Sequence, residues 1–130
     1  MMFSFNKEER IYKRNDIETL FSKGVSFFSF PFKVLWHQTE SSEKYPVRLL
    51  ISVPKKYHKL AVSRNRLKRL IREAYRKNKS ILYEIKEFEN KQLHLALIYT
   101  HKEILTYQEV EKQIIKVLNK IKKEYEKSTN

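Results

Sequence analysis

Apolar and polar residues alternate along parts of the chain with the period of two that is typical of β-strands. The predicted strands span residues 27–37, 47–53 and 93–99. The first strand is expected to bury Phe28, Phe30, Phe32, Val34 and Trp36. The second and third strands are expected to bury Val47, Leu49, Ile51 and Val53, and Leu93, Leu95, Leu97 and Tyr99. Pro54 ends the second strand, because proline has no backbone N–H to donate to a sheet.

Other segments repeat apolar residues every three or four positions, which predicts amphipathic helices. The predicted helices span residues 17–23, 62–78 and 107–125. Asn15 and Asp16 are expected to cap the first helix, and Gly24 is expected to end it. The two longer helices are expected to bury Leu67, Leu70, Ile71, Ala74 and Tyr75, and Val110, Ile114, Val117, Leu118, Ile121 and Tyr125. Residues 81–90 are predicted to form a short helical piece or an ordered loop.

The element order α-β-β-α-β-α predicts a single-domain α+β sandwich, in which a small mixed sheet packs against helices. A helix connects the second and third strands, as parallel pairing requires, whereas a short polar turn allows the first two strands to pair. The sequence contains no repeat, linker or low-complexity tract. The domain is therefore expected to span residues 1–130, with residues 1–9 and 127–130 frayed.

Composition narrows the possible classes of protein. With 130 residues, 41% of them hydrophobic, the chain can build one core, which excludes a wholly disordered protein. The absence of Cys excludes a disulfide scaffold and a thiolate metal site. Without a long apolar run or a signal-peptide h-region, the expectation is a cytoplasmic protein with no membrane partner. A single Gly excludes a glycine-rich phosphate loop, so no small-molecule cofactor is expected.

Positive charge is concentrated in one part of the chain. Residues 55–79 contain eleven Lys and Arg against one acidic residue, Glu73, and so carry +10 of the chain's +13. Opposite its apolar side, and around Asn65, the predicted helix carries Arg64, Lys68, Arg69, Arg72, Arg76 and Lys79. A short basic run is usually solvated surface, but an Arg-rich excess of this size predicts a polyanionic partner such as a nucleic acid.

The acidic residues and histidines do not indicate catalysis by the chain itself. Asp16 is the only Asp, and the Glu residues lie in Lys-rich helical stretches, where carboxylates usually pair with neighbouring lysines. No nucleophile motif is present. The four His residues lack the i, i+4 spacing of a helical metal site, although His58 lies in the basic loop and could contact RNA. The aromatic residues of the first strand fit a buried face better than a base-stacking platform.

Residues 55–73, KKYHKLAVSRNRLKRLIRE, resemble the signature of the protein subunit of bacterial ribonuclease P. That signature is a double Lys, a short loop, Ala-Val and then Arg-Asn-Arg-x-Lys-Arg-x-x-Arg. In this chain it falls on Lys55, Lys56, Ala61, Val62, Arg64, Asn65, Arg66, Lys68, Arg69 and Arg72. The wider family pattern is matched in register at Arg10, Ile11, Phe21, Gly24, Phe32 and Tyr107.

The resemblance implies a fold and a function. Proteins of this family are the small partner of a large catalytic RNA, which removes the 5′ leader of precursor tRNA with bound Mg²⁺. The chain would then be an endonuclease subunit in tRNA 5′ maturation, with ribonuclease P RNA and precursor tRNA as partners. Catalysis and Mg²⁺ would belong to the RNA, with no metal site on the protein. The resemblance also implies a left-handed β-α-β crossover, where the default is right-handed.

The resemblance also assigns residues to two RNA surfaces. Contacts to the catalytic RNA are expected from Arg64, Asn65, Lys68, Arg69 and Arg72, and contacts to phosphates from Lys55 and Lys56. The positive charge of the same segment adds Lys59, Arg66 and Arg76 as expected RNA contacts. The 5′ leader is expected in a cleft between helix and sheet formed by Arg10, Ile17, Phe21, Leu35 and Ser52.

The leader cleft departs from the family pattern. Ile17 and Leu35 are aliphatic where family members often carry aromatic rings. A base stacked on an aromatic ring gains roughly 1–3 kcal/mol. The leader is therefore expected to bind this cleft more weakly, or to use Phe28, Phe30 or Trp36 instead.

Three alternative functions suit a basic domain of this size. A structural ribonucleoprotein component, such as a ribosome-bound protein, would bind RNA without affecting the processing of precursor tRNA. A DNA-binding regulator would place the 62–78 helix in a major groove, but the strands on both sides of this helix argue against a helix-turn-helix. A peripheral membrane protein is disfavoured, because the core needs the apolar side of the same helix.

Overall fold

The computed structural model describes residues 5–85 and 90–128 of the chain. Within them, the strands are β1 (Val25–Ser29), β2 (Phe32–Glu40), β3 (Val47–Ser52) and β4 (Lys91–Tyr99). The helices are α1 (Arg14–Lys23), α2 (Ala61–Asn78), α3 (Ser80–Tyr83) and α4 (Tyr107–Ser128), preceded by a 3-10 turn at Lys7–Glu9. The predicted single-domain α+β fold with a small mixed sheet is confirmed. Of the residues predicted to fray, 127–128 belong to α4, and 1–4 and 129–130 lie outside the described residues.

The strand order in the sheet is β1-β2-β4-β3, so the predicted pairing of the first two strands is wrong. β4 lies between β2 and β3, antiparallel to β2 and parallel to β3. Side chains on both faces of β4 are buried, which favours a central position where both strand edges have hydrogen-bond partners. The parallel pairing predicted from the helical connection is confirmed.

The segment predicted as one strand over residues 27–37 is a hairpin of β1 and β2, so that prediction is also wrong. Phe30 and Pro31 form its turn. Proline removes a donor from the hydrogen-bond ladder and is disfavoured inside a continuous strand, so Pro31 marks the point where the strand breaks.

The hairpin changes which aromatic side chains are buried. The predicted residues that do lie in the core are Phe32, Val34 and Trp36. Because β1 runs antiparallel to β2, Phe27 lies opposite Val34 and packs against the core. Phe28 lies opposite Lys33, on the other face of the sheet. Phe28 and Phe30 are 63% and 47% exposed, contrary to the prediction.

Both faces of the sheet are covered, but unequally. One face forms the main core with α2 and α4, and every apolar position predicted for these two helices lies in that core or packs against it. The second face carries a smaller cluster beneath α1, made of Ile11, Leu20, Leu35 and Ala96. α1 covers only part of this second face. Ser26, Phe28 and Lys33, at the β1–β2 end of the face, are exposed.

A buried ion pair ties the N-terminal turn to the end of α2. The Glu9 carboxylate is 1% exposed and accepts hydrogen bonds from the Lys79 ammonium at 2.6 Å and the Tyr83 hydroxyl at 2.5 Å. The prediction that residues 7–9 fray is therefore wrong. Lys79 is 3% exposed, so it does not belong to the exposed basic face on which its helical spacing placed it.

α1 begins earlier than the sequence predicts. Its first residue is Arg14, and Lys13 at the N-cap makes no side-chain cap. The predicted caps, Asn15 and Asp16, lie inside the first turn, where the Asp16 charge still interacts favourably with the helix dipole. Side-chain capping by Asn15 or Asp16 therefore does not set where this helix starts.

Gly24 ends α1 as predicted. The reason is the lack of space for a side chain, and not a left-handed backbone conformation. Its φ is −68°, which any residue adopts. A side chain has no room here, because a Cβ atom would overlap the carbonyl oxygen of Leu20 and lie 3.2 Å from that of Trp36. The glycine therefore permits the chain to turn closely over the last carbonyls of α1 and beside β2.

Gly24→Ala is expected to lower the free energy of unfolding by about 1–3 kcal/mol, the usual effect of overpacking. Urea unfolding measures this change. Lys23→Ala, at an exposed neighbouring position, is the control and should change stability by less than about 0.5 kcal/mol. A Gly24→Ala variant as stable as the wild type would contradict the close approach.

Candidate nucleic-acid interface

The periodicity of α2 separates an apolar side from a cationic side. The apolar side packs on α4 and the sheet. The residues on the opposite side of the helix, which recur every three or four positions, therefore face outward. The α2 cationic face is defined here as Lys55, Lys56, Lys59, Arg64, Asn65, Arg66, Lys68, Arg69, Arg72 and Arg76. Each of these ten residues is exposed or half-buried. The structure thus places on one helix and its preceding loop all the residues that the sequence assigned to the catalytic RNA.

Two arginines of this face are already held by other groups of the protein. Arg64 donates from Nη1 to the carbonyl oxygens of His58 and Lys59, at 3.0 and 2.7 Å, and so positions the loop that carries the lysines. Arg76 donates from Nη2 and Nε to the Glu73 carboxylate, at 2.6 and 3.0 Å. This hydrogen bonding raises the pKa of Arg76 and lowers the pKa of Glu73. Both arginines add charge to the surface, but part of their donor capacity is used within the protein.

Arg72 lies at a cavity formed by α2, β3 and the segment before α1. The cavity has a volume of about 180 Å³ and is named the cationic cavity. It is lined by Phe5, Arg10, Ile11, Leu49, Leu50, Ile51, Lys68 and Arg72. The Ile11 N–H donates to the Leu49 carbonyl oxygen at 3.0 Å, which holds the neighbouring Arg10 beside β3. Arg10 therefore joins the residues of α2, rather than the other residues assigned to the leader cleft.

The Arg72 guanidinium is in an unfavourable environment. Its Nε is buried and has no hydrogen-bond partner among the described residues. Burial lowers the pKa of Arg72, and the positive charges of Arg10 and Arg69 lower it further. A buried N–H without an acceptor costs free energy, and so does repulsion between cations. An anion with several oxygen acceptors would remove both penalties.

The other residues assigned to the leader cleft lie on or beside the second face of the sheet. Ile17 and Leu35 belong to the same apolar cluster, and Leu35 is buried. Phe21, near the end of α1, has a half-exposed ring. Ser52 is the last residue of β3 and is half-buried. The structure thus brings Ile17 and Leu35 into one cluster. Phe21 is the aromatic residue assigned to the leader cleft, and its ring is accessible to a ligand.

Sequence reasoning missed a second cavity, named here the aromatic cavity. Its volume is about 480 Å³, and it is lined by Ser26, Phe27, Phe28, Lys33, Tyr57 and Thr100. Alternation of apolar residues places Phe28 in the core, because the alternation continues through the turn at Pro31. Proline inside a predicted strand was the signal that could have revealed it. Tyr57 lies in the basic loop, where no periodicity indicates which way a side chain points.

Two of the histidines are buried. His58, which the sequence leaves as a possible RNA contact, is 7% exposed and places Nε2 2.7 Å from the His101 carbonyl oxygen. His94 lies on β4 with Nε2 2.9 Å from the Gln92 side-chain oxygen, and burial lowers the pKa of His94. Within residues 5–85 and 90–128, no three His, Cys, Asp or Glu side chains form a group that could hold a metal ion.

The fold and the interface together define a class of protein. It is a small basic α+β domain that presents an Arg-rich helix and a lysine-bearing loop beside a mixed sheet, a surface suited to a phosphate-rich polymer. None of the described helices is long and apolar enough to cross a membrane.

Known proteins are similar to this chain in both sequence and fold. A family model described as Ribonuclease P matches residues 5–122. The ribonuclease P protein component of Porphyromonas gingivalis is 34% identical over 119 residues, which cover 92% of this chain and 87% of that protein. The chain belongs to the ribonuclease P protein family and is therefore a ribonuclease P subunit with a role in tRNA processing.

Solved structures confirm the fold. The ribonuclease P protein of Thermotoga maritima superimposes with a TM-score of 0.67 at 29% identity, covering 86% of this chain and 96% of that one. The ribonuclease P protein of Staphylococcus aureus gives a TM-score of 0.62 at 30% identity, with 85% and 92% covered. The family resemblance seen in residues 55–73 is thus confirmed.

Proposed function

We propose that this chain binds the RNA subunit of ribonuclease P through the α2 cationic face and helps that RNA to remove the 5′ leader of precursor tRNA. The RNA carries out the hydrolysis with its bound Mg²⁺, and the protein supplies contacts to phosphates and to the leader. The observation that carries this proposal is the buried Arg72 Nε, which has no partner within the described chain and lies beside Arg10 and Lys68.

Electrostatics explains why an RNA enzyme would use such a partner. The catalytic RNA and its substrate are both polyanions, so their association is opposed by repulsion between phosphates. Each phosphate contacted by Lys or Arg releases condensed counterions, which favours binding most strongly at low salt. The α2 cationic face would lower the Mg²⁺ concentration that the two RNAs need to associate.

The cationic cavity is the part of this surface best suited to one particular phosphate. Arg72 offers an unused N–H, and Arg10 and Lys68 add positive charge on the other sides of the same small space. The apolar residues that line the cavity lower the local dielectric constant, which strengthens hydrogen bonds between charged groups. The solvated lysines of the loop at Lys55 and Lys56 would bind phosphates more weakly and with less geometric constraint.

The leader is assigned to the second face of the sheet. Phe21 offers an exposed ring, Ile17 contributes apolar surface beside it, and Ser52 offers a hydroxyl at the end of β3. Leu35 lies beneath them as part of the cluster that supports α1. Mg²⁺ is assigned to the RNA, and no step is assigned to a metal held by this chain.

Cleavage of precursor tRNA by a bacterial ribonuclease P RNA at low Mg²⁺ tests this function. The wild-type protein should restore accurate 5′ cleavage. Lys68→Glu/Arg69→Glu should lower the cleavage rate at least about tenfold at limiting protein, because like charges placed against each other cost several kcal/mol.

The matched control is Lys112→Glu/Lys116→Glu, which changes net charge equally at exposed positions of α4. It should retain most of the activity, since these lysines lie outside the α2 cationic face. If the wild-type protein binds RNA without changing cleavage, the chain is a structural RNA-binding protein, and the proposal is wrong.

A further inference from the structure

The aromatic cavity combines the groups that bind an unstacked nucleobase. It is lined by three aromatic residues, Phe27, Phe28 and Tyr57, and by Lys33, Ser26 and Thr100, which carry an ammonium and two hydroxyls. We propose that this cavity binds one unpaired nucleotide of the 5′ leader, with the base against the rings and a phosphate near Lys33. This inference rests on the proposed function and adds to it a second leader-binding position outside the residues assigned to the leader cleft.

The sheet register places the cavity beside the surface already assigned to the leader. Phe28 lies directly opposite Lys33, and Ser26 lies directly opposite Leu35. Residues opposite each other in an antiparallel pair share a face, as do residues two positions apart in one strand. The aromatic cavity is therefore a continuation, along β1 and β2, of the face that α1 partly covers. A strand of RNA leaving Phe21 could continue into it.

The rings are available for stacking. Phe28 is 63% exposed on β1, a strand at the edge of the sheet. The Lys56 ammonium lies 5.0 Å from the centre of the Tyr57 ring, so cationic charge accompanies the second ring as well. Aromatic rings next to cations form the usual site for single-stranded nucleic acid, because bases stack on the rings while cations bind the backbone.

The polar groups and the charge favour a nucleotide over an apolar peptide. The lining residues include a cation and, in the part of the chain that the structure describes, no carboxylate. The Thr100 hydroxyl donates to the Pro31 carbonyl oxygen at 3.1 Å, which leaves the hydroxyl oxygen free to accept from an exocyclic amine. Ile17 and Leu35 offer no aromatic surface, so a base that stacks beyond Phe21 would do so here.

The experiment uses the protein assembled with a bacterial ribonuclease P RNA and measures Kd for precursor tRNAs that each carry one abasic leader nucleotide. At one leader position, removal of the base should weaken wild-type binding about tenfold, within the range for one stacked base. Phe28→Ala should weaken binding of the intact precursor by a similar factor, with no further loss at that same position. Tyr57→Ala should behave likewise, and Phe28→Tyr should retain binding.

The controls separate this site from its surroundings. Val25→Ala shortens a half-exposed side chain of the same strand that does not line the cavity, and it should bind every precursor as the wild type does. Mature tRNA without a leader should bind equally to all variants. Because Phe28 is mostly exposed, its replacement should not unfold the protein, and circular dichroism checks this.

Each other outcome has a definite meaning. If Phe28→Ala binds every precursor as tightly as the wild type, no nucleotide occupies the cavity, and the inference is wrong even where the wild type restores cleavage. If Phe28→Ala weakens binding of the ribonuclease P RNA itself, the nucleotide belongs to that RNA, which overturns the assignment to the leader. A wild-type protein that fails to restore cleavage overturns the proposed function instead.

Discussion

Arg72→Met is expected to weaken binding to ribonuclease P RNA by about ten- to a hundredfold, while the free protein stays as stable as the wild type or becomes more stable. A hydrogen bond to a charged group contributes about 1.5–3 kcal/mol, and this arginine would provide such a bond to phosphate. In the free protein the same guanidinium is desolvated and lies near Arg10 and Arg69, which lower its pKa. Methionine is similar in length, so it removes these penalties without opening a large cavity.

Two measurements check this expectation. Urea unfolding gives the stability of the free protein, and RNA affinity measured over a range of salt gives the slope of log Kd against log salt. In Arg72→Met the magnitude of this slope should fall by about 1, which corresponds to the loss of one phosphate contact. Lys116→Met, at an exposed position of α4, is the matched control and should change neither quantity appreciably. An Arg72→Met variant that loses stability but keeps its RNA affinity would show that Arg72 supports the fold and does not bind phosphate.

Glu9→Ala is expected to lower the free energy of unfolding by about 3–5 kcal/mol, the usual effect of removing one partner from a buried ion pair. The Lys79 ammonium lies 2.6 Å from the Glu9 carboxylate, and both side chains are almost fully buried. Removing the carboxylate leaves the cation in a low-dielectric environment and takes an acceptor from the Tyr83 hydroxyl. Since domains of this size are stable by only about 5–15 kcal/mol, the loss is a large fraction of the total.

A second variant and a control separate the ion pair from side-chain size. Glu9→Ala/Lys79→Met replaces both charges and should recover much of the lost stability, because no buried charge remains uncompensated. Glu18→Ala removes one partner of the exposed Arg14–Glu18 pair, and it should change stability by less than about 1 kcal/mol. Urea unfolding of all three variants gives the comparison. Equal small losses for Glu9→Ala and Glu18→Ala would refute a role for the buried pair.

This pair also matters for the interface. Glu9 holds the turn that precedes Arg10, and Arg10 lies 5.0 Å from the centre of the Phe5 ring at the cationic cavity. The Phe5 ring in turn makes an edge contact with Tyr75 of α2, with centres 5.6 Å apart. The N-terminal segment is therefore an anchored wall of the interface.

The parts of the fold that follow from local periodicity were predictable. A helix or strand that buries one side must repeat its apolar residues with its own period, and this rule holds at every predicted core position of α2 and α4. The same argument places the cationic side of α2, because the side opposite the buried one must face outward. Residues 55–73 also show the family resemblance, because an Arg-rich pattern on one helix lies within a short continuous stretch of sequence.

The predictions that the structure contradicts share a different cause. The hairpin at Pro31 was missed because alternation of apolar residues continues through the turn, although the chain reverses there. The resulting error assigned Phe28 to the core, whereas it lines the aromatic cavity. Lys79 was placed on the exposed face by its helical spacing, but its partner Glu9 lies 70 residues away in sequence.

The sequence by itself thus determined the class of fold, the buried sides of the long helices and the location of the positive charge. These properties depend on the order and period of neighbouring residues. Only the tertiary structure decided the strand order, the face on which each aromatic ring of the hairpin lies, and which cations are buried or paired. Those properties depend on contacts between segments that are distant in sequence. The free energies of these contacts are set by shared burial and by charge pairing, which local periodicity does not encode.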